Sequence, residues 1–208
     1  MLEKCYKIEN NERLFDFKTC VQYLTHLGKE RYGQSFHFDI SDKETIFKLI
    51  AYSVGAIDAC QSEFLDLNKG ILLIGPVGCG KTSLMTLLNE FVYPHQKYQV
   101  KCTREIAAEF HQEGFPIIHK YGRRQKVLCL DDLGVEQNMK YYGNECNTIA
   151  EILLHRYDIH VNFGIVTHAT TNLNAEELEK LYGNRVRSRL RSMFNLVSFP
   201  ESSIDKRK

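Results

Sequence analysis

No stretch of the chain approaches the ~20 consecutive apolar residues that a membrane span needs. The N-terminus, Met-Leu-Glu-Lys-Cys-Tyr, lacks the apolar run of a signal peptide. Seven cysteines stand at positions 5, 20, 60, 79, 102, 129 and 146, and none pair as Cys-x-x-Cys. Neither a zinc site nor a dithiol redox motif is therefore indicated. An odd count without a framework suits a reducing cytosol, so a cytoplasmic location is the expectation. The eight histidines show no metal-ligand spacing. There are no repeats, low-complexity segments or long linkers. What remains is 208 residues with 43% apolar content, enough for one α/β domain plus a small appendage.

The formal net charge of +1 conceals an asymmetry. Residues 183–208 hold seven basic groups (Arg185, Arg187, Arg189, Arg191, Lys206, Arg207 and Lys208) against Glu201 and Asp205. The rest of the chain is net acidic. An anionic partner would go to the C-terminal end.

The most informative run is Gly75-Pro76-Val77-Gly78-Cys79-Gly80-Lys81-Thr82, a full match to G-x-x-x-x-G-K-[ST]. Gly75, Gly78 and Gly80 let the backbone wrap an anion with no Cβ in the way. The loop N–H groups, continuing into Ser83, then form a nest for phosphates. Lys81 can reach β- and γ-phosphate oxygens, and Thr82 can ligate Mg²⁺. The apolar run Ile71–Ile74 before it reads as a buried strand, and Leu84–Phe91 after it has helical spacing. The phosphates would thus sit at a helix N-terminus. The loop also holds Cys79, for which a helix N-terminus and Lys81 predict a reactive thiolate. Lys81 itself is expected to face solvent.

Fifty residues after Lys81, a second apolar run (Val127–Leu130) ends in Asp131-Asp132-Leu133-Gly134. After a phosphate loop, this reads as a Walker B element. Asp131 would hold Mg²⁺, and Asp132 would act as the base on an attacking water. A third strand, Phe163–Thr170, leads into Thr171-Asn172, where a polar amide could orient that water. Tyr98–Cys102 and Phe194–Phe199 are further strands. Thr103 is placed as the cap of a helix ending near Gly114, Asn144–Tyr157 as a helix, and Asn174 as a helix cap. Strands alternating with helices predict a parallel sheet covered on both faces. The first seventy residues read as helical. One helix covers about 15–27, and a second is opened by a capping box at Ser41-Asp42-Lys43-Glu44.

The phosphate loop, the Leu130–Gly134 run, Thr171-Asn172-Leu173 and Arg185-Val186-Arg187-Ser188-Arg189-Leu190 together resemble the DnaC/IstB-like group of AAA+ ATPases. These are helicase loaders and transposition helper ATPases. The resemblance covers roughly residues 70–199. It implies an AAA+ core over residues 67–208, with ATP and Mg²⁺ as ligands and assembly with ATP into a self-oligomer on DNA, expected to be single-stranded. It implies a replicative helicase or a transposase as partner, with residues 1–66 as the partner-binding segment. It places Asn172 as sensor 1 and Arg189 as an arginine finger reaching a neighbour's ATP, with Arg185 one turn earlier as second choice. Arg187 and Arg191 are left as surface or DNA-facing groups. Lys120, Tyr121, Arg123, Arg124 and Lys126 lie where loaders of this group can carry DNA-binding elements.

Two departures matter. Many AAA+ proteins have Asp-Glu where this chain has Asp131-Asp132, so Glu136 is a candidate substitute base. Only 19 residues follow Arg189, which leaves no room for a helical lid. Two other functions compete with an ATP-hydrolysing switch. One is a small-molecule P-loop kinase. The other is a nucleotide-gated adaptor that does not hydrolyse, which Asp132 in place of Glu makes credible.

Overall fold

The computed structural model describes residues 2–9, 12–141 and 144–206. Arg207 and Lys208 of the basic C-terminal end lie outside them. The core is a five-stranded sheet of β3 (Gly70–Ile74), β4 (Gln99–Cys102), β5 (Leu128–Leu133), β8 (Thr167–Thr171) and β9 (Phe194–Ser198). Its order is β4-β5-β8-β3-β9, and every pairing is parallel. The middle of such a sheet is buried on both faces, which is why β3 and the Leu128–Leu130 part of β5 are near-continuous apolar runs.

Alternation along β3 shows the two faces. Ile71 and Leu73 point into one core cluster, and Leu72 into the other. The first cluster is closed by α1 (Phe17–Tyr32), α2 (Lys43–Val54) and α4 (Lys81–Leu88) through Leu24, Ile46, Leu49 and Leu84. The second is closed by α5 (Thr103–Glu113), α6 (Pro116–Gly122), α7 (Thr148–Phe163) and α8 (Ala175–Met193) through Phe110, Ile117, Ile152 and Val186. The first sixty-six residues, including the short α3 (Ile57–Ser62), therefore share a hydrophobic cluster with the sheet.

Several local expectations are corrected. The chain does not begin as a helix. A short 3₁₀ turn leads into β1 (Tyr6–Glu9), which pairs antiparallel with β2 (Glu12–Phe15). Tyr6 and Ile8 alternate with Lys7 and Glu9 at period two, the signal of a strand. Helix α2 starts without a capping box. Asp42 is its N-cap, but the side chain makes no cap bond. The carboxylate is turned instead to Ser203 and Lys206, more than 160 residues away in sequence.

Thr103 does not cap α5, whose N-cap is Cys102; its hydroxyl donates to Asp132 O at 2.8 Å. Helix α7 starts later than expected. Asn147 caps it by accepting from Ala150 N, and 144–146 instead form β7, paired with β6 (Met139–Tyr141). It also runs further, to Gly164 with φ 64°, a left-handed stop that glycine adopts readily. Asn174 does cap α8, in a reciprocal capping box with Glu177.

Candidate nucleotide site

All five strands of the sheet end on the same side, and the site lies there, where ligands bind in open parallel sheets. A cavity of about 540 Å³ is lined by Val77, Gly78, Gly80, Lys81, Thr82 and Ser83 of the loop, by Asp132, Val135 and Asn172 from the neighbouring strand ends, and by Tyr32, Ser35, Phe36, His37 and Lys206. Of the sequence-predicted set, the loop residues bordering it, Asp132 and Asn172 thus share one space. Arg185 and Arg189 do not border it.

The loop geometry follows from its glycines. Gly78 and Gly80 have φ of 83° and 100°, open to glycine at little cost. Gly75 needs no positive φ. A Cβ there would come 2.8 Å from Phe199 Cβ and 3.0 Å from Cys79 Sγ, so its role is close packing. Lys81 is not solvent-facing as expected. It is buried, and its ammonium donates to the carbonyls of Gly75 (2.7 Å) and Pro76 (2.8 Å). An ammonium so close to loop carbonyls takes them as acceptors in place of water. Cys79 also departs from expectation. Its thiol is wholly buried, and burial pushes its pKa up despite the nearby Lys81 and Lys206. Desolvation outweighs the attraction of those cations.

Thr82 on α4 donates to Asp131 at 3.0 and 2.9 Å to the two oxygens. Thr170 on β8 donates to Asp131 Oδ1 at 2.7 Å and accepts from Asp132 N at 2.8 Å. Burial raises the Asp131 pKa above the ordinary aspartate value; the Thr170 hydrogen bond opposes this, and the charge of Asp132 adds to it. A buried carboxylate beside a hydroxyl is the hard oxygen donor set that suits Mg²⁺. Among the described residues no cluster of three or more His, Cys, Asp or Glu could hold a metal alone. The ion's remaining ligands would be phosphate oxygens and water, which is usual for Mg²⁺. The residues present therefore fit Mg²⁺ with a nucleotide.

Asp132 has φ 58°, the left-handed region, which Asp tolerates better than most residues. Here β5 bulges. Leu130 pairs with Ala169, but the next pair is Leu133 with Thr171. The extra residue turns consecutive carboxylates apart, Asp131 onto Thr82 and Asp132 into the cavity. A bulge that re-aims a side chain beside a site is a recurring device. Glu136 is engaged elsewhere. It accepts from Gly134 N at 2.9 Å and from the Tyr182 hydroxyl, and it does not line the cavity. Thr171 donates to Leu133 O and accepts from Leu173 N, fixing the turn that presents the exposed Asn172.

Two sets of residues escape sequence reasoning. Thr170 bridges both aspartates, but its strand, Thr167-His168-Ala169-Thr170-Thr171, carries a hydroxyl at three positions, so nothing in the sequence marks this one. The wall at Tyr32–His37 carries no motif. Among the basic groups, Arg189 lies over the Tyr157 ring, 4.1 Å from its centroid, while Arg185 is exposed. Arg187 pairs with Glu179 and is not an open surface group. Tyr121 is buried and donates to Glu109, so it offers no face to a base. Lys120, itself exposed, is paired with Glu109 as well; Arg123 and Lys126 are also exposed.

The fold and site define a P-loop α/β fold, a five-stranded parallel sheet with a phosphate-binding loop at its C-terminal edge, the α/β architecture anticipated from the motifs. The chain's fold is similar to that of the DnaC helicase loader (TM-score 0.53, 18% identity, covering 80% of this chain and 95% of that one). It is similar also to a protein described as a primosome component from Streptococcus pyogenes serotype M3 (TM-score 0.56, 18% identity, 80% of this chain and 83% of that one). AMPPCP-bound DnaA from Aquifex aeolicus shares the fold (TM-score 0.53, 16% identity, 79% of this chain), although this chain covers only 48% of its length. At these identities the likeness is one of fold. No protein-family model matches the chain. A stretch of 97 residues is 31% identical to ABC transporter B family member 1 of Arabidopsis thaliana, spanning 41% of this chain and 6% of the transporter. Among the described residues no helix is long and apolar enough to cross a membrane.

Proposed function

We propose that the chain binds ATP with Mg²⁺ in this cavity, hydrolyses the ATP, and uses the cycle to load a replicative helicase on single-stranded DNA in the cytoplasm. The observation that carries the nucleotide reading is the convergence at three strand ends. Thr82, Asp131 and Thr170 form one hydrogen-bonded cluster, with Asp132, Asn172 and Lys81 on the same cavity. The likeness of fold to a helicase loader and to a DnaA that holds AMPPCP supports the same reading.

Phosphoryl transfer to water asks for positioning and charge compensation, with little covalent chemistry by the protein. The loop N–H groups and Lys81 bind the phosphates. Thr82 and Asp131 would hold Mg²⁺, which when bound neutralises charge on the β- and γ-oxygens. Asp132 takes the proton of the attacking water, and Asn172 orients it. Arg189 acts on a neighbour's nucleotide within an ATP-dependent oligomer, with Arg185 as the second choice. Residues 1–66 contact the partner, and a transposase is the other partner class.

A second reading has one observation in its favour. Asp132 is a methylene shorter than Glu, so a nucleotide-gated adaptor without hydrolysis fits the same cavity. Phosphate release with ATP, DNA and a hexameric helicase present tests this. Turnover supports the switch, while tight ATP binding with no release selects the adaptor. Capture of a helicase or a transposase by the full chain identifies the partner class.

A further inference from the structure

Residues 199–206 turn back from the end of β9 across the phosphate loop. Phe199 N–H donates to Ile74 O at 2.8 Å, and Lys206 N–H donates to Gly78 O at 3.1 Å. The Asp205 carboxylate lies so close to Gly78 that a Cβ there would collide with it. The Lys206 ammonium sits 5.4 Å from the Phe199 ring centroid, pairs with Asp42, and lies 3.6 Å from Asp39. Asp42 is fully buried and also accepts from Ser203 Oγ at 3.2 Å. Lys206 borders the cavity, and among the described residues it and Lys81 are the two lysines or arginines lining it.

We infer that Lys206 is a phosphate-contacting residue of the nucleotide site, held in place by Asp42. This rests on the nucleotide reading above. The basic C-terminal end drew attention in the sequence as a place for an anion, and the chain's path brings part of it to the cavity that would receive one. A free lysine must lose rotamer freedom to bind a phosphate. Here Asp42 has already fixed the side chain, because a carboxylate buried without its partner would be strongly unfavourable. An ammonium has three N–H donors, so two carboxylates need not exhaust it. Lys81 and Lys206 then flank Gly78 and Gly80, and charge reaches the phosphates from two sides.

The competing explanation is a clasp that only ties the C-terminal segment to α2. Lys206→Gln alone leaves Asp42 buried and unpaired, so the deciding variant is Asp42→Asn/Lys206→Gln, which removes both charges together. Mg·ATP affinity is measured by calorimetry over a range of salt concentrations, with thermal unfolding followed in parallel. The expected result is about tenfold weaker binding by the double variant, the scale of one charge-assisted contact. Its salt dependence is shallower than that of the native chain, and Lys206→Arg binds within about twofold of it. Unchanged affinity and salt dependence in the double variant overturns the inference. So does a loss that is equal at every salt concentration and accompanied by early unfolding. Failure of the nucleotide reading looks different: the native chain then does not bind Mg·ATP, or binds it as well after Lys81→Ala.

Discussion

At one end of the cavity the polar groups hang on the backbone: loop N–H groups presented by Gly78 and Gly80, a bulge that turns Asp131 and Asp132 apart, and Asn172 on the turn after β8. The facing wall is built from side chains of distant segments. Tyr32 ends α1, Ser35, Phe36 and His37 follow it, Asp42 opens α2, and Lys206 arrives from beyond β9 against Gly78. The phosphate end is fixed by parallel strands pairing in register, which places their C-termini together whatever the side chains. The facing wall is held by the ion pairs of Lys206 with Asp42 and Asp39 and by a few aromatic contacts. The first can fail by losing chemistry with the fold intact. The second can fail by losing its shape.

Variants at the phosphate end should therefore give the largest changes in rate. Arg189→Ala should hydrolyse ~10³-fold or more slowly in the assembled state while binding ATP normally, the scale of a finger supplied by a neighbour. Mixing it with Lys81→Ala should restore part of the rate. If mixed oligomers form and no activity returns, Arg189 has no trans role; recovery only with Arg185→Ala mixtures moves the finger one turn back.

Next in size, Asp132→Asn should slow hydrolysis ~10²–10⁴-fold and keep Mg·ATP bound. Asn also tolerates the left-handed backbone at this position, so the fold should survive. Glu136→Gln should hydrolyse normally, because Glu136 is held by Gly134 and Tyr182. Steady-state phosphate release from the two variants decides, and the reverse pattern would make Glu136 the base.

A smaller effect, on stability, should come from Thr170→Val. It strips a hydrogen bond from buried Asp131 and leaves Asp132 N unpaired, at a cost of about 1–3 kcal/mol in denaturant unfolding. A change within error would mean that the bridge between the aspartates contributes nothing.

The core away from the cavity should show itself through pH. His168 is fully buried beside Tyr52 and Tyr98 and accepts from Ile71 N, and desolvation lowers its pKa from 6.5 to about 3. The unfolded chain takes up a proton below about 6.5 that the native chain refuses until about 3. Stability should therefore fall as pH drops through that window. His168→Asn should flatten the fall, which melts at stepped pH would reveal; an unchanged slope would assign the loss to carboxylates.

The smallest effect concerns Cys79. Its buried thiol should alkylate slowly in the native chain, not rapidly as the loop sequence alone implies. Mass spectrometry of briefly alkylated protein would show modification at Cys79 only on unfolding.

Legibility in the sequence follows the same division. The placement of the phosphate loop, Asp131, Asp132 and Asn172 at strand ends was readable, because strand ends show as apolar runs followed by polar residues. The parallel sheet was readable from the same runs. Thr170 was not, since a threonine within a strand is ordinary until its neighbour across the sheet is known. Nor was the Asp42–Lys206 pair, because nothing local marks two residues 164 apart as partners. Asp42 even carried a misleading local signal, since Ser41–Glu44 has a capping-box pattern while the carboxylate serves a tertiary contact. Cys79 misled for a related reason: its neighbours in sequence are a cation and a helix start, but its thiol is buried, and desolvation outweighs the nearby cations. Tyr6–Phe15 hid a hairpin in a stretch too short for a helical period to be tested.

The most direct test of the central claim is a calorimetric titration with Mg·AMPPCP of the native chain and of Lys81→Ala, both confirmed folded. The account predicts saturable binding with one nucleotide per chain, and affinity lower by about a hundredfold or more in the variant, a loss of roughly 2.7 kcal/mol. No binding by the native chain, or equal affinity in the two, would contradict it.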